Sequence, residues 1–156
     1  AAVLVGALAG GRDPLQPLKP FAAQAGSVGT AQAAAGEGPR FERVASLAEL
    51  DARLRTTDRP VMLDFYADWC VSCKEMERFT FTDPKVRARL DRFLLLQADV
   101  TDTNATSKAL LARFNLFGPP GILFFDAAGE EVRGHKVVGF QNAEKCAASL
   151  DRVLAK

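Results

Sequence analysis

Two cysteines separated by two residues, in the run Trp69-Cys70-Val71-Ser72-Cys73-Lys74, constrain this chain more than any other feature. They follow a compact apolar run at 61–66, of strand length, and they open a stretch at 71–79 with the pattern of a helix. That order puts Cys70 at a helix N-terminus, where unpaired amide N–H groups favour the thiolate, the reactive form of cysteine. Cys73 comes one turn later, close enough to displace a mixed disulfide formed at Cys70, and this proximity is the chemical reason for the two intervening residues. Attack by Cys70 and resolution by Cys73 is the expected division of labour.

The same pair could be half of a zinc site, with His135 and Cys146 as the other ligands. Those two stand eleven positions apart, with His135 on an expected strand, whereas structural zinc sites use paired ligands at short spacings. No metal and no other cofactor is expected beyond the redox-active Cys70–Cys73 disulfide. Cys146 shares a helical face with Leu150 and Val153, which marks it as a buried structural cysteine. His135, the single histidine, has no catalytic partner nearby in sequence and is assigned to the surface.

With 156 residues, 48% of them apolar, the chain can bury one core, and one domain is expected. Its 20 basic and 19 acidic residues are mixed along the sequence, so there is no basic field to steer binding to a phosphate backbone, and nucleic acid is not an expected partner. Three cysteines are too few for the framework of a small disulfide-stapled scaffold. No apolar run approaches the roughly 20 residues that cross a bilayer as a helix. The first ten residues are apolar, without an initiating Met or a basic region, and resemble the end of a signal peptide or of a membrane helix. Residues 1–40 hold seven of the twelve glycines, four of the eight prolines and five charged residues, which is linker composition. The folded domain is expected over 41–156.

Within it, 41–45 has the pattern of a first strand, and Ser46-Leu47-Ala48-Glu49 has the form of a capping box opening a helix to about residue 55. The strand at 61–66 and the helix at 71–79 follow. Asp83-Pro84 starts another helix to residue 90, with a cap before a first-turn proline. A second buried strand is expected at 93–100, a helix at 104–114, a strand at 122–126, a last strand at 132–138 and a closing helix capped by Asn142. The order β-α-β-α-α-β-α-β-β-α calls for an α/β fold with a central mixed sheet flanked by helices on both faces. Asp64 stands out, because it interrupts a run that should be buried, where carboxylates are rare. Glu77, four residues after Cys73, shares that cysteine's helical face; a merely solvated glutamate is the alternative. Where Glu77 lies beside the pair, its negative charge disfavours the thiolates of the reduced form, which points to a reducing pair.

The run Val61-Met62-Leu63-Asp64-Phe65-Tyr66-Ala67-Asp68-Trp69-Cys70 resembles the active-site strand of thioredoxins. With Val71-Ser72-Cys73-Lys74-Glu75-Met76-Glu77 and Phe79-Thr80-Phe81-Thr82-Asp83-Pro84, it resembles the C-terminal domain of the DsbD family, the bacterial transmembrane thiol-disulfide interchange proteins. Leu96-Gln97-Ala98-Asp99-Val100-Thr101 and Ile122-Leu123-Phe124-Phe125-Asp126 strengthen the likeness, which covers 41–156. It implies a thioredoxin-like fold and a periplasmic domain of an inner-membrane protein, monomeric in isolation. Such a domain takes electrons from the membrane domain of the same protein and passes them to its N-terminal domain, with other periplasmic thiol-disulfide proteins as further partners. The apolar start then corresponds to the end of the last membrane helix. For single residues, the resemblance implies that Asp64 exchanges protons with the inner thiol, that Glu77 is an active-site acid, and that Pro120 is the cis-proline facing the cysteines, Pro119 being the other candidate. Trp69, Pro119 and Pro120 would form the docking surface. Pro119 departs from the family pattern, since it has no N–H to offer a partner strand. Phe79 and Phe81 fit either the rim of the site or the core. A free-standing periplasmic reductase, such as one serving cytochrome c maturation, and a non-catalytic interaction module of the same fold are the competing functions.

Overall fold

Val61–Tyr66 forms the central strand, and all six of its residues are buried. The structure is a computed structural model that describes residues 38–156. The upstream segment and linker expected over 1–40 therefore lie, as far as residue 37, outside the described residues. The elements are β1 (Glu42–Arg43), α1 (Leu47–Thr56), β2 (Val61–Tyr66), α2 (Val71–Glu75), a π-helical turn (Met76–Thr80), α3 (Pro84–Leu90), β3 (Leu94–Asp99), α4 (Ala105–Arg113), β4 (Gly121–Phe125), β5 (Val137–Val138) and α5 (Ala143–Leu154). The sheet order is β1-β3-β2-β4-β5, with β1, β3 and β2 parallel and β4 and β5 antiparallel to their neighbours. This is the expected mixed α/β sheet.

Because side chains alternate along a strand, β2 feeds two cores at once. Val61, Leu63 and Phe65 join Leu96, Leu123 and Phe125 under α1 and α4, through Leu50, Leu54, Leu110 and Phe114. Met62 joins Ile122 and Phe124 on the other face, under α3 and α5, through Val86, Leu90, Leu150 and Val153. Each fully buried side chain of this size contributes about 1.5–3 kcal/mol. The two layers hold β2 flat between them and fix where its C-terminal end emerges.

Helix starts follow the sequence closely. Ser46 accepts from the Glu49 amide at 3.2 Å, and the Glu49 carboxylate accepts from Ala45 N at 2.7 Å, one residue further back than the capping box predicts. Asp83, Asn104 and Asn142 cap α3, α4 and α5 through the amides of Lys85, Ser107 and Lys145. Two strands are shorter than expected. The first shrinks from 41–45 to Glu42–Arg43. The last, expected over 132–138, survives as Val137–Val138 with one isolated bridge between Phe125 and Glu131, because Gly134 at φ +82° turns the chain out of the sheet.

The turn before Glu131 depends on Gly129, whose φ is +84° and whose added Cβ would meet the Leu54 carbonyl oxygen at 2.4 Å. Strained backbone and a backbone clash act together there. Gly129→Ala should lower unfolding stability by about 2 kcal/mol or more, read as a lower urea midpoint at unchanged slope.

Candidate active site at the Cys70–Cys73 pair

The buried strand β2 runs straight into the loop Ala67-Asp68-Trp69, and the amide of Cys70 donates back to the Ala67 carbonyl at 3.0 Å. That turn makes Cys70 the N-cap of α2, and its sulfur accepts the Cys73 amide N–H at 3.2 Å. Cys70 and Cys73 are joined in a disulfide. The amide aimed at Cys70 Sγ is positioned to stabilise a thiolate there once the bond is reduced. Cys73 Sγ faces inward, 3.8 Å from the Phe65 carbonyl oxygen, to which its S–H would donate in the dithiol form. The two cysteines therefore differ in their surroundings, with Cys70 held by an amide and Cys73 turned toward the strand.

Asp64 sits one residue before Phe65, 4% exposed, on the face of β2 that also carries Met62. Burial pushes its pKa up to about 7, the Gln97 hydrogen bond pulls the other way, and the nearby charge of Glu77 pushes it up again. Helix α2 does not continue over the expected 71–79. It widens after Glu75 into a π-helical turn, closed by Phe81 N donating to Met76 O at 2.8 Å. Glu77 lies in this turn, half-buried, and accepts from Gln97 Nε2 at 3.3 Å, while the same nitrogen donates to Asp64 at 3.2 Å. The structure thus joins the two predicted carboxylates through a residue that sequence reasoning did not single out. Its signal was available: Gln97 is an amide in the middle of an apolar strand.

Trp69 is 60% exposed beside the pair, and its indole N–H donates to the Thr101 carbonyl at 3.1 Å. Thr101 also accepts the Asp68 amide on its hydroxyl at 2.9 Å and donates that hydroxyl to Asp99, which pairs with Arg43. Thr101 is a second missed residue; it clamps the loop that carries Trp69. Tyr66 donates to Asp68 at 2.9 Å, with Arg43 and Lys74 over its ring. The Pro119–Pro120 bond is cis, so Pro120 is the cis residue. Gly121 pairs with Phe65, which places Pro120 opposite the end of β2, at the level where the chain leaves for Cys70.

A thioredoxin-like family model matches residues 43–127. The thiol:disulfide interchange protein DsbD of Ralstonia nicotianae is 55% identical over 162 residues, covering 99% of this chain and 25% of that protein. The DsbD of Pectobacterium atrosepticum is 49% identical over 112 residues, covering 72% of this chain and 19% of that protein. The oxidised C-terminal domain of Neisseria meningitidis DsbD, 36% identical, superposes with a TM-score of 0.60 over 72% of this chain and 99% of that domain. This chain belongs to the DsbD family, as a C-terminal thioredoxin-like domain. It spans about a quarter of the length of the first of these DsbD relatives, and less of the second.

Within this DsbD-family domain the remaining candidates separate cleanly. Phe81 is core, packed against Phe41, whereas Phe79 is 64% exposed with Arg78 over its ring. Cys146 is buried, and burial together with the Asp64 charge pushes its thiol up to about 12. His135 is half-buried. Among the described residues no group of three or more His, Cys, Asp and Glu side chains could hold a metal ion, and none of their helices is long and apolar enough to cross a membrane.

Asp64 gives the site a pH signature. In the unfolded chain it ionises near 3.8 and in the folded protein near 7, so between those values the folded state holds the extra proton. Stability therefore falls as pH rises from about 4 to about 7, then levels off. For the oxidised protein, whose paired cysteines do not titrate, urea unfolding should show the wild type losing about 2 to 3 kcal/mol more than Asp64→Asn between pH 5 and pH 8. Equal losses would mean that Asp64 is not the group carrying the buried charge.

Proposed function

We propose that this domain is the periplasmic reductant of a DsbD-type inner-membrane protein. It takes electrons from the membrane domain and passes them by dithiol–disulfide exchange to the N-terminal domain of the same protein, and to other periplasmic thiol-disulfide proteins. The observation that carries this is the Cys70–Cys73 disulfide at a helix start, with the Cys73 amide on Cys70 Sγ and a buried carboxylate on the adjoining strand. Family membership supports the direction of flow. The isolated domain acts as a monomer.

In the reduced domain, the Cys70 thiolate attacks a partner disulfide, forms a mixed disulfide and releases one partner sulfur, which takes up a proton. Cys73 then loses its proton to Asp64 and attacks Cys70 Sγ. The second partner sulfur leaves with the electron pair and is protonated in turn. Two electrons pass to the partner, which also gains two protons, one from Cys73 by way of Asp64 and one from solvent, and the domain is left with its disulfide, to be reduced again by the membrane domain. A carboxylate titrating near 7 is populated in both forms at neutral pH, as a group that accepts and returns one proton must be. Trp69, exposed beside the pair, and Pro119 and Pro120, at the end of β2, form the surface on which the partner docks.

Reduction of insulin disulfides, with dithiothreitol as electron donor, tests the activity; a domain that only holds a partner gives no turnover above the donor alone. Cys73→Ser should accumulate a covalent complex with a disulfide partner, because the displacing thiol is missing, and Cys70→Ser should form none. Mass spectrometry reads both, and the opposite pattern would exchange the roles of the two cysteines.

Pro119 leads to a separate expectation. With no N–H, it leaves one acceptor of a docked strand without its donor. Pro119→Leu should restore that hydrogen bond, worth about 0.5–1.5 kcal/mol, and tighten docking from about two-fold to about tenfold. The dissociation constant is measured in the Cys73→Ser background against an N-terminal domain lacking its cysteines. Weaker docking would mean that Pro119 acts through rigidity or apolar contact.

A further inference from the structure

Gln97 is 4% exposed on β3, between Leu96 and Ala98, and its register partner across the parallel β2–β3 ladder is Asp64. A primary amide buried among apolar neighbours is unfavourable unless its hydrogens are used. Here they are, one on each of two carboxylates: Nε2 donates to Asp64 Oδ2 at 3.2 Å and to Glu77 Oε1 at 3.3 Å. An amide nitrogen has two hydrogens, and an ionised carboxylate accepts but does not donate, so it is the amide nitrogen and not its oxygen that faces the two carboxylates. The bridge spans two elements, since Asp64 belongs to β2 and Glu77 to the π-helical turn that follows the cysteines.

Resting on the reductase function proposed above, we infer that Gln97 is a positioning residue of the exchange reaction. Its side-chain amide clamps Asp64 and Glu77 so that the two carboxylates act on the inner cysteine as one proton-handling unit.

The surroundings of Asp64 show why a clamp matters. From the π-helical turn it faces the like charge of Glu77; from α5 it faces Cys146, a thiol kept neutral; from β4 its register partner is the apolar Ile122. The exposed Lys74, on the same helix as the cysteines, has its charge favoured chiefly by Tyr66 and also by the charges of Asp68 and Glu77. Among the groups that shift Asp64, the Gln97 amide is the one that favours its charged form. Without that donor, Asp64 holds its proton to higher pH and cannot accept one from Cys73 at neutral pH. Glu77 also loses its tie to the sheet.

Gln97→Met tests this, because methionine has nearly the same length and volume, tolerates a buried strand and has no N–H. Gln97→Leu is the second variant, should the first fold poorly by near-ultraviolet circular dichroism. The titration of the Asp64 carboxyl carbon is followed by NMR in the disulfide form of the whole chain, and its midpoint should rise by about one pH unit in the variant. The pH profile of insulin reduction should move the same way, with the rate depressed near pH 7 and recovering toward wild type at higher pH. An unmoved Asp64 midpoint, or a rate lowered equally at every pH, would overturn the clamp and reduce Gln97 to packing. The NMR titration needs no turnover. An inactive wild type with a shifted midpoint in the variant would therefore refute the reductase function and not the clamp, and an active wild type with no shift would do the reverse.

Discussion

A carboxylate in the middle of a fully buried strand is the constraint around which the rest of this domain is arranged. Asp64 occupies a position in β2 where a valine or leucine would have contributed to the core, and its charge is opposed by burial. The fold answers with a buried amide on the neighbouring strand, a half-buried glutamate on a widened helical turn and a cysteine pair at the mouth of the same strand. Removing the carboxylate would simplify the protein's packing. Its retention in so apolar a setting makes sense where a proton has to be held near neutrality next to sulfur chemistry.

Rigidity reaches the site by two routes. From below, the two cores grip β2 on both faces and deliver its end at a fixed place. From the side, Thr101 takes an N–H from Asp68 and another from Trp69, and is anchored in turn by Asp99 and Arg43. The loop between strand and helix is thus held by the segment that follows β3 as well as by its own ends. An exposed tryptophan on a loop is ordinarily mobile; here its indole nitrogen is tied down while its ring stays exposed.

Much of this was legible in the amino-acid order, because the relevant signals are local. The apolar run into Cys-x-x-Cys gave β2 and α2, the Asp83-Pro84 and Asn142 caps gave two helix starts, and the anomaly of Asp64 was visible as a charge where none belonged. What was hidden depends on contacts between distant segments. Gln97 read as one polar residue in a strand until the register set it opposite Asp64. Thr101 lies more than thirty positions from the loop it clamps. The helix expected to reach residue 79 gives way to a π-helical turn for which no local residue is a marker, and the last strand, expected over 132–138, is cut to Val137–Val138 by the positive φ of Gly134, which the strand pattern does not announce. Phe79 and Phe81, two positions apart, could be assigned to surface and core only once that turn was seen.

The third cysteine has a consequence for how safely this domain can work. Thiol–disulfide exchange is promiscuous, and any thiolate within reach of an active disulfide is a potential wrong partner. Cys146 is buried in the core layer that packs on the Asp64 face of β2, and its thiol is pushed up to about 12, so it stays protonated at neutral pH. Burial does most to keep this thiol neutral, and the charge of Asp64, when ionised, adds to it. The third sulfur lies in one core layer and the disulfide in the other, so a thiol that is both buried and neutral is a poor nucleophile toward the bond at the helix start.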